Sequence, residues 1–301
     1  MASPKPQKTL TKFANGLFQE SADPNAEFIA PVVGTGIATF TILDYAKRSG
    51  FQTPDGIRAI GGDSKAVQSD GDRVEISLKP NGLHDMIDQH ELDQAGPDGE
   101  SLLMQSRVQN LVSQASNSRF KNTIETINGV LNSPIASDWS DTEDPIKQID
   151  SLIEEMSNAT SKMPNRMLMS LTAWRIFRNN AKVIDRFPGM AQISVSKAQS
   201  EGFFINPDLK IMVCNTIFDS KIAATSSKGN AIGADVYLYY TQSGANVYDN
   251  SFAKTFRMTT AVSSSVRTSQ KDYGQKLMVD WTEVVYVNNP AMGRRLAVTE
   301  S

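Results

Sequence analysis

From Gly99 to Asn132 the chain has no proline and one internal glycine, Gly129. If helical throughout, the stretch is about 50 Å long at ~1.5 Å per residue. Met104, Val108, Leu111 and Ala115 recur at helical spacing, and so do Phe120, Ile124, Ile127 and Leu131. The two stripes are out of phase. Met104 and Phe120 stand 16 positions apart, which at ~100° per residue turns the apolar face by roughly 160°. Either the helix breaks at Ser116-Asn117-Ser118, three capping-type residues in a row, or it buries opposite faces along its length. A spine with a sheet on one side and another element on the other fits the second reading; two ordinary helices with a polar joint fit the first.

The rest of the chain must supply the partners of such a spine. Its 301 residues suffice for two moderate domains or one large one, and 40% apolar with 21% charged residues is an ordinary folded composition. No apolar run approaches the ~20 residues of a membrane span. The first residues, MASPKPQKTLTKF, lack the apolar centre of a signal peptide. One cysteine, Cys214, excludes an intramolecular disulfide framework and fits a reducing compartment. A net charge of -3 gives no basic footprint for tight nucleic-acid binding.

Taken in order, residues 1–26 lack periodicity and read as an extended arm. The apolar run Phe28 to Val33 leads into Gly34-Thr35-Gly36, the way a dinucleotide-binding turn begins. Thr39 holds the third glycine position, however, and Ala38, Phe40 and Ile42 alternate as in a strand, where that motif needs a helix. Val74, Ile76 and Leu78 alternate in a return strand after the turn Ser69-Asp70-Gly71-Asp72. The glycine-punctuated polar residues between the two strands cannot make a private core, so residues 36–80 are expected to form a projecting hairpin. Residues 83–94 hold both histidines and read as an acidic turn or short helix. His84 and Asp88 share a helix spacing, but Gln94 stands where a His-Glu-x-x-His motif needs its second histidine. Gly96-Pro97-Asp98-Gly99 marks a joint before the spine.

Beyond the spine, Asp144-Pro145 is a helix start, with aspartate as N-cap and proline at the first position. Ile146, Ile149, Leu152, Ile153 and Met156 follow on one face. A short strand at Met167–Met169 precedes a helix with Trp174, Phe177, Ala181 and Ile184 inward. Strands are expected over 209–214 and 235–240. In the last third, Phe252, Phe256, Met258 and Val262 alternate in one strand, and Leu277, Val279, Trp281, Val285 and Val287 in another, with Glu283 the exception. A long antiparallel hairpin laid along the spine would bury both.

Catalytic signatures are absent. The chain has no Gly-x-Ser-x-Gly elbow and no Gly-Lys-Ser/Thr phosphate loop, and Cys214 lies in an apolar strand, where a thiol packs as a small hydrophobe.

The order of these elements resembles the major capsid proteins of tailed phages, the Hong Kong 97-like family. Trp139-Ser140 followed by Asp144-Pro145-Ile146 is similar to the start of that family's axial domain. Pro164 to Met169, Trp174-Arg175 and Asp185-Arg186 resemble its strand and tryptophan-bearing helix. Phe252 to Arg257 resembles the return to its peripheral sheet. The resemblance implies an α+β fold with an N-terminal arm (1–33) and an E-loop hairpin (34–80). It further implies a peripheral domain of spine helix and long antiparallel sheet (81–134 and 251–301), and a mixed α/β axial domain (135–250).

By the same resemblance, the chain is expected to self-assemble through hexamers and pentamers into an icosahedral shell around viral DNA. Assembly would take place in the host cytoplasm, and the product would reside in the virion, with no enzymatic activity, cofactor, metal or membrane. An arm this short implies a separate scaffolding protein or a cleaved precursor segment. A portal and decoration proteins are further implied partners, with DNA held loosely on the inner face. Arg48, Asp70, Gly71, Asp72 and Arg73 on the hairpin are the expected subunit contacts. An encapsulin-like compartment, a tube- or fibre-forming tail protein and a nucleotide-binding enzyme using Gly34-Thr35-Gly36 are the alternatives.

Overall fold

The computed structural model of the chain describes residues 5–6, 13, 24–44, 56–58, 60–64, 72–186, 196–219, 227–259, 264–271 and 273–300. The order begins with β1 (Lys5–Pro6), α1 (Pro24–Ile29), β2 (Val32–Thr35), β3 (Thr39–Asp44), β4 (Asp72–Ser77), β5 (Lys79–Asp88) and α2 (Gln89–Val130). It continues with β6 (Ile135–Asp138), α3 (Pro145–Thr160), β7 (Arg166–Ser170), α4 (Leu171–Asn179), α5 (Ala181–Ile184), α6 (Lys197–Glu201) and β8 (Lys210–Cys214). Last come β9 (Ile217–Asp219), β10 (Lys228–Asn230), β11 (Asp235–Tyr239), β12 (Ala253–Met258), β13 (Ser264–Lys271), β14 (Gly274–Val287) and β15 (Gly293–Thr299).

Helix α2 is the spine, and it does not break at Ser116-Asn117-Ser118. Its 42 residues kink at Gly96, with φ 66° and ψ 175°, where the sequence marks a joint, and no other residue within it is non-helical. Asp88 caps it, accepting the His90 N–H at 2.8 Å. The phase shift is resolved as burial of two faces. Met104, Val108, Leu111 and Ala115 pack with Ile87, Leu277, Val279 and Trp281. Phe120, Ile124 and Ile127 pack instead with Ile29, Leu168, Tyr237, Tyr239 and Phe252. At roughly 2 kcal/mol per fully buried large apolar side chain, each stripe fastens the helix to a different sheet.

The first stripe lies on a six-stranded sheet whose axis is β14. That strand pairs antiparallel with β13 over Ser264–Lys271, with β12 over Ala253–Arg257, and along its other edge with β5. Strand β2 adds in parallel to β12. The second stripe meets a five-stranded sheet ordered β6-β15-β11-β7-β8. The other face of that sheet is covered by α3 and α4 through Ile146, Ile149, Ile153, Met156, Ala173, Ile176 and Phe177.

Several expectations are corrected. Residues 83–88 are strand: pairing with β14 overrides the acidic, turn-like local sequence. The partner that forms the tight hairpin with β14 is β13, which was not foreseen, and the strand expected to reach Val262 ends at Met258, with Val262 outside the described residues. Residues 293–299, grouped from the sequence with the spine, pair with β11 and β6 in the five-stranded sheet. The helix expected through Ile184 is two helices meeting at Asn180, whose side chain caps the second by accepting the N–H groups of Lys182 and Val183.

Candidate functional site

Two places combine chemistry with an exposed or junctional position: the β3–β4 hairpin and the ground where the spine changes sides.

The hairpin root alternates as its sequence dictates. Ile42 faces Val74 and Phe40 faces Ile76 across the strands. These residues pack on Val33, Leu78 and Phe256, with the Phe40 and Phe256 rings edge-on at 5.1 Å. Thr39, Thr41, Arg73, Glu75 and Ser77 occupy the opposite, exposed face. Of the expected contact residues, Arg48, Asp70 and Gly71 lie outside the described residues. Asp72 pairs with Asp44 at the end of the ladder, and Arg73 pairs with Leu43. Farther out, residues 56–58, 60–61 and 63–64 are exposed, Ile57 and Ile60 among them.

Gly34-Thr35-Gly36 does not open a phosphate-binding helix, because β3 follows it. Gly34 is required for packing: a Cβ there would meet Thr259 Cγ2 at 2.5 Å. His84 sits on β5 opposite Met278, while His90 bonds the Gln94 side chain at 2.9 Å in the first turn of α2. Among the described residues no three His, Cys, Asp or Glu side chains are grouped to hold a metal. Nor is any helix among them long and apolar enough to cross a membrane.

Where the spine changes sides, between Ala115 and Phe120, it presents Arg119. The Glu283 carboxylate, 4% exposed, accepts Arg119 Nε at 2.9 Å and Nη2 at 3.1 Å. It also accepts Arg257 Nε from β12 at 3.0 Å. Arg257 reaches Glu27 of α1 at 3.9 Å, and the Arg119 guanidinium lies over the Trp281 ring. Burial, with the neighbouring Arg119 charge, pulls the Arg257 guanidinium below its ordinary value, and Glu283 opposes that shift. Helix α2, the six-stranded sheet and α1 are thereby tied at one carboxylate.

Helix α1 is held from the other sheet as well. Its Phe28 carbonyl accepts Arg166 Nη1 at 2.6 Å and Tyr239 Oη at 2.9 Å, while from the six-stranded sheet Thr255 Oγ1 donates at 3.1 Å to the carbonyl of Ala30, just past the helix. A second buried pair organises the loop between β11 and β12. Lys254 Nζ lies 3.4 Å from Asp249 Oδ1 and donates to the Val247 and Asp249 carbonyls. Burial lowers the Lys254 ammonium, against the pull of Asp249.

Sequence reasoning did not find Arg119, Arg257, Glu27 or the Lys254–Asp249 pair. One signal was present: Glu283 interrupts the apolar face of β14, and a charge there demands a partner. The spacing of 164 positions between Glu283 and Arg119 leaves that partner unreadable without the fold. Arg119, Trp281 and Glu283 of the joint also line a cavity of about 510 Å³, together with Lys79, Asn81 and Glu125.

No family model matches the chain, and no curated protein matches it. Solved structures do. A phage-related protein from Bordetella bronchiseptica RB50 superposes with a TM-score of 0.72 at 16% identity, covering 98% of each chain. The capsid of cyanophage P-SCSP1u matches with a TM-score of 0.52 at 14% identity, covering 91% of this chain and 88% of the other. The SrpI encapsulin of Synechococcus elongatus PCC 7942 matches at 0.52 and 9% identity, covering 92% and 88%. The chain has the Hong Kong 97-like α+β fold of tailed-phage capsid proteins.

Proposed function

We propose that this chain is the major capsid protein of a tailed phage. It assembles through hexamers and pentamers into an icosahedral shell enclosing viral DNA. The observation that carries this reading is the fold likeness to the cyanophage capsid over 91% of this chain, alongside that to the phage-related protein over 98% of both chains. Two features support it. The six-stranded and five-stranded sheets are tied by one long helix and a buried charge joint, which suits a subunit that must keep its shape within a lattice. The hairpin has a packed root and exposed outer residues, which suits contact with a second copy.

In this reading Arg48, Asp70, Gly71, Asp72 and Arg73 meet a neighbouring subunit. Such heterologous contacts close around rotation axes. Assembly takes place in the host cytoplasm with a separate scaffolding protein and a portal, decoration proteins bind the outside, and DNA rests loosely inside. The chain performs no catalysis and needs no cofactor.

The test is the mass of the purified protein by size-exclusion chromatography with light scattering. Capsomers or shells are expected at moderate concentration, and a monomeric mass at every concentration would overturn the reading. The likeness to an encapsulin supports a second reading, a compartment for protein cargo. Nuclease-resistant DNA in particles formed during infection separates the two, since a protein compartment would hold none.

A further inference from the structure

We infer that Tyr248 of one subunit seats in the cavity beside the Arg119–Glu283 joint of a neighbouring copy, so that every chain carries both a knob and a hole. This rests on the capsid reading above and names one contact within it. Tyr248 stands in the loop between β11 and β12 and is 70% exposed. The loop beneath it is held from inside. The Asp249 carboxylate accepts the N–H groups of Asn246 and Ser251, and the Asn246 side chain accepts the N–H of Tyr248 itself. Lys254 of β12 and Asn288, just past β14, both donate to the Asp249 carbonyl. The Asp249 and Lys254 side chains are 0% and 1% exposed. Ala245 and Val247 pack on the hairpin root with Phe40 and Phe256.

A surface loop can leave its main chain to water, whereas burying an ion pair to fix one carries a desolvation penalty. What the pair fixes here is the position of an exposed aromatic ring. Tyrosine gives a large contact area and has few rotors to freeze, so a ring already held in place is a low-cost anchor for a partner. The cavity supplies a matching environment. Its volume, about 510 Å³, lies in the range of small-molecule pockets and has room for a phenol. Trp281, Val284 and Val285 form its apolar side, while Lys79, Ser118 and Asn122 are exposed at its rim. A tyrosine needs apolar contact for its ring and a polar partner for its hydroxyl, and the Lys79 ammonium can lie against the ring face. An acidic guest would meet Glu125 and Glu283 in the same lining, which favours the neutral phenol. Knob and hole are different surfaces, so the contact is heterologous. Each copy gives one ring and receives one, and such contacts close around a rotation axis.

The sole native thiol, Cys214, is 3% exposed, so Tyr248→Cys and Ser118→Cys each add one accessible thiol. The two variants are assembled separately and as an equal mixture, treated with a short bis-maleimide, and resolved by denaturing electrophoresis. A covalent dimer is expected in the mixed shells and in neither variant alone. Mixed shells without the dimer overturn the inference. So does a dimer in shells of Tyr248→Cys alone, which would place two loops against each other. A second arm measures the concentration at which shells form. Tyr248→Ala should raise it by roughly tenfold or more, the loss expected of an interface anchor. The melting temperature of the subunit should stay with the parent, because the ring is exposed. Asn122→Trp, which fills the hole from its rim, should raise the assembly concentration in the same way. Shells at the parental concentration in either variant would overturn the inference. If the unaltered chain forms no shells, it is the capsid reading that fails, and this contact falls with it.

Discussion

Replacing Glu283 by glutamine keeps the shape of the side chain and removes the charge that two arginines share. Three N–H groups now end on its carboxylate, at 2.9, 3.1 and 3.0 Å. A glutamine offers one oxygen and turns an NH2 group toward donors that need an acceptor. Hydrogen bonds to charged groups contribute about 1.5–3 kcal/mol each, but the three are not additive because they share one group. Breaking a buried pair by removing one partner costs about 3–5 kcal/mol. Arg119 is 11% exposed and Arg257 27%, so water reaches Arg257 in part, and the lower end, about 3 kcal/mol, is the expected loss. At roughly 2–4 °C per kcal/mol for a large domain, thermal melting of the unassembled subunit, followed by circular dichroism, should fall by about 6–12 °C. In the triple variant Arg119→Leu, Arg257→Leu, Glu283→Leu part of the loss should return, since apolar replacement of a whole buried ionic group is often near neutral. A Glu283→Gln subunit that melts with the parent would refute the joint.

Gly274 has φ 150°, and a Cβ there would stand 2.0 Å from the Ile87 carbonyl; Gly274→Ala should lower the urea midpoint by more than any exposed glycine replacement, such as Gly129→Ala. Burial works to raise the Asp144 carboxyl, but the Arg186 hydrogen bond and the N–H of Lys147 outweigh it and hold it below 3.8. Folded Asp144 therefore binds its proton at lower pH than unfolded, and its contribution is complete above about pH 4 and lost as pH falls through the lowered value. Asp144→Asn, which keeps an N-cap, should lower stability at neutral pH and flatten its acid loss in urea titrations. Cys214→Ala should leave assembly intact, read by light scattering, because the thiol is packed in β8. Replacing residues 48–72 with a short Gly-Ser linker should leave a folded subunit by circular dichroism that no longer closes; closed particles of normal diameter would show that the hairpin is not the contact between copies.

Periodicity carried the elements whose burial is one-sided. The α3 face from Ile146 to Met156, the β3 and β4 alternation and the β14 face from Leu277 to Val285 were legible for that reason. The spine was legible too, but its phase shift admitted a break, and only the separate packing partners of Val108 and Ile124 decide for a continuous helix. Strand β5 was hidden by Pro80, Gly82 and the acidic Asp85 and Asp88, because its stability comes from ten paired positions on β14 and not from its own propensity. Strand β15 could not be assigned to a sheet, since an alternating strand does not reveal its neighbours. The charge joint was half legible: Glu283 announced an unmet need, and the fold supplied Arg119 and Arg257.

The central claim is that copies of this chain close into a shell. Negative-stain electron microscopy of the purified protein at assembling concentration tests it most directly. The claim predicts closed particles of uniform diameter with hexameric and pentameric units in their walls. Tubes, open fibres or a field of single subunits under conditions where the protein is folded would contradict it.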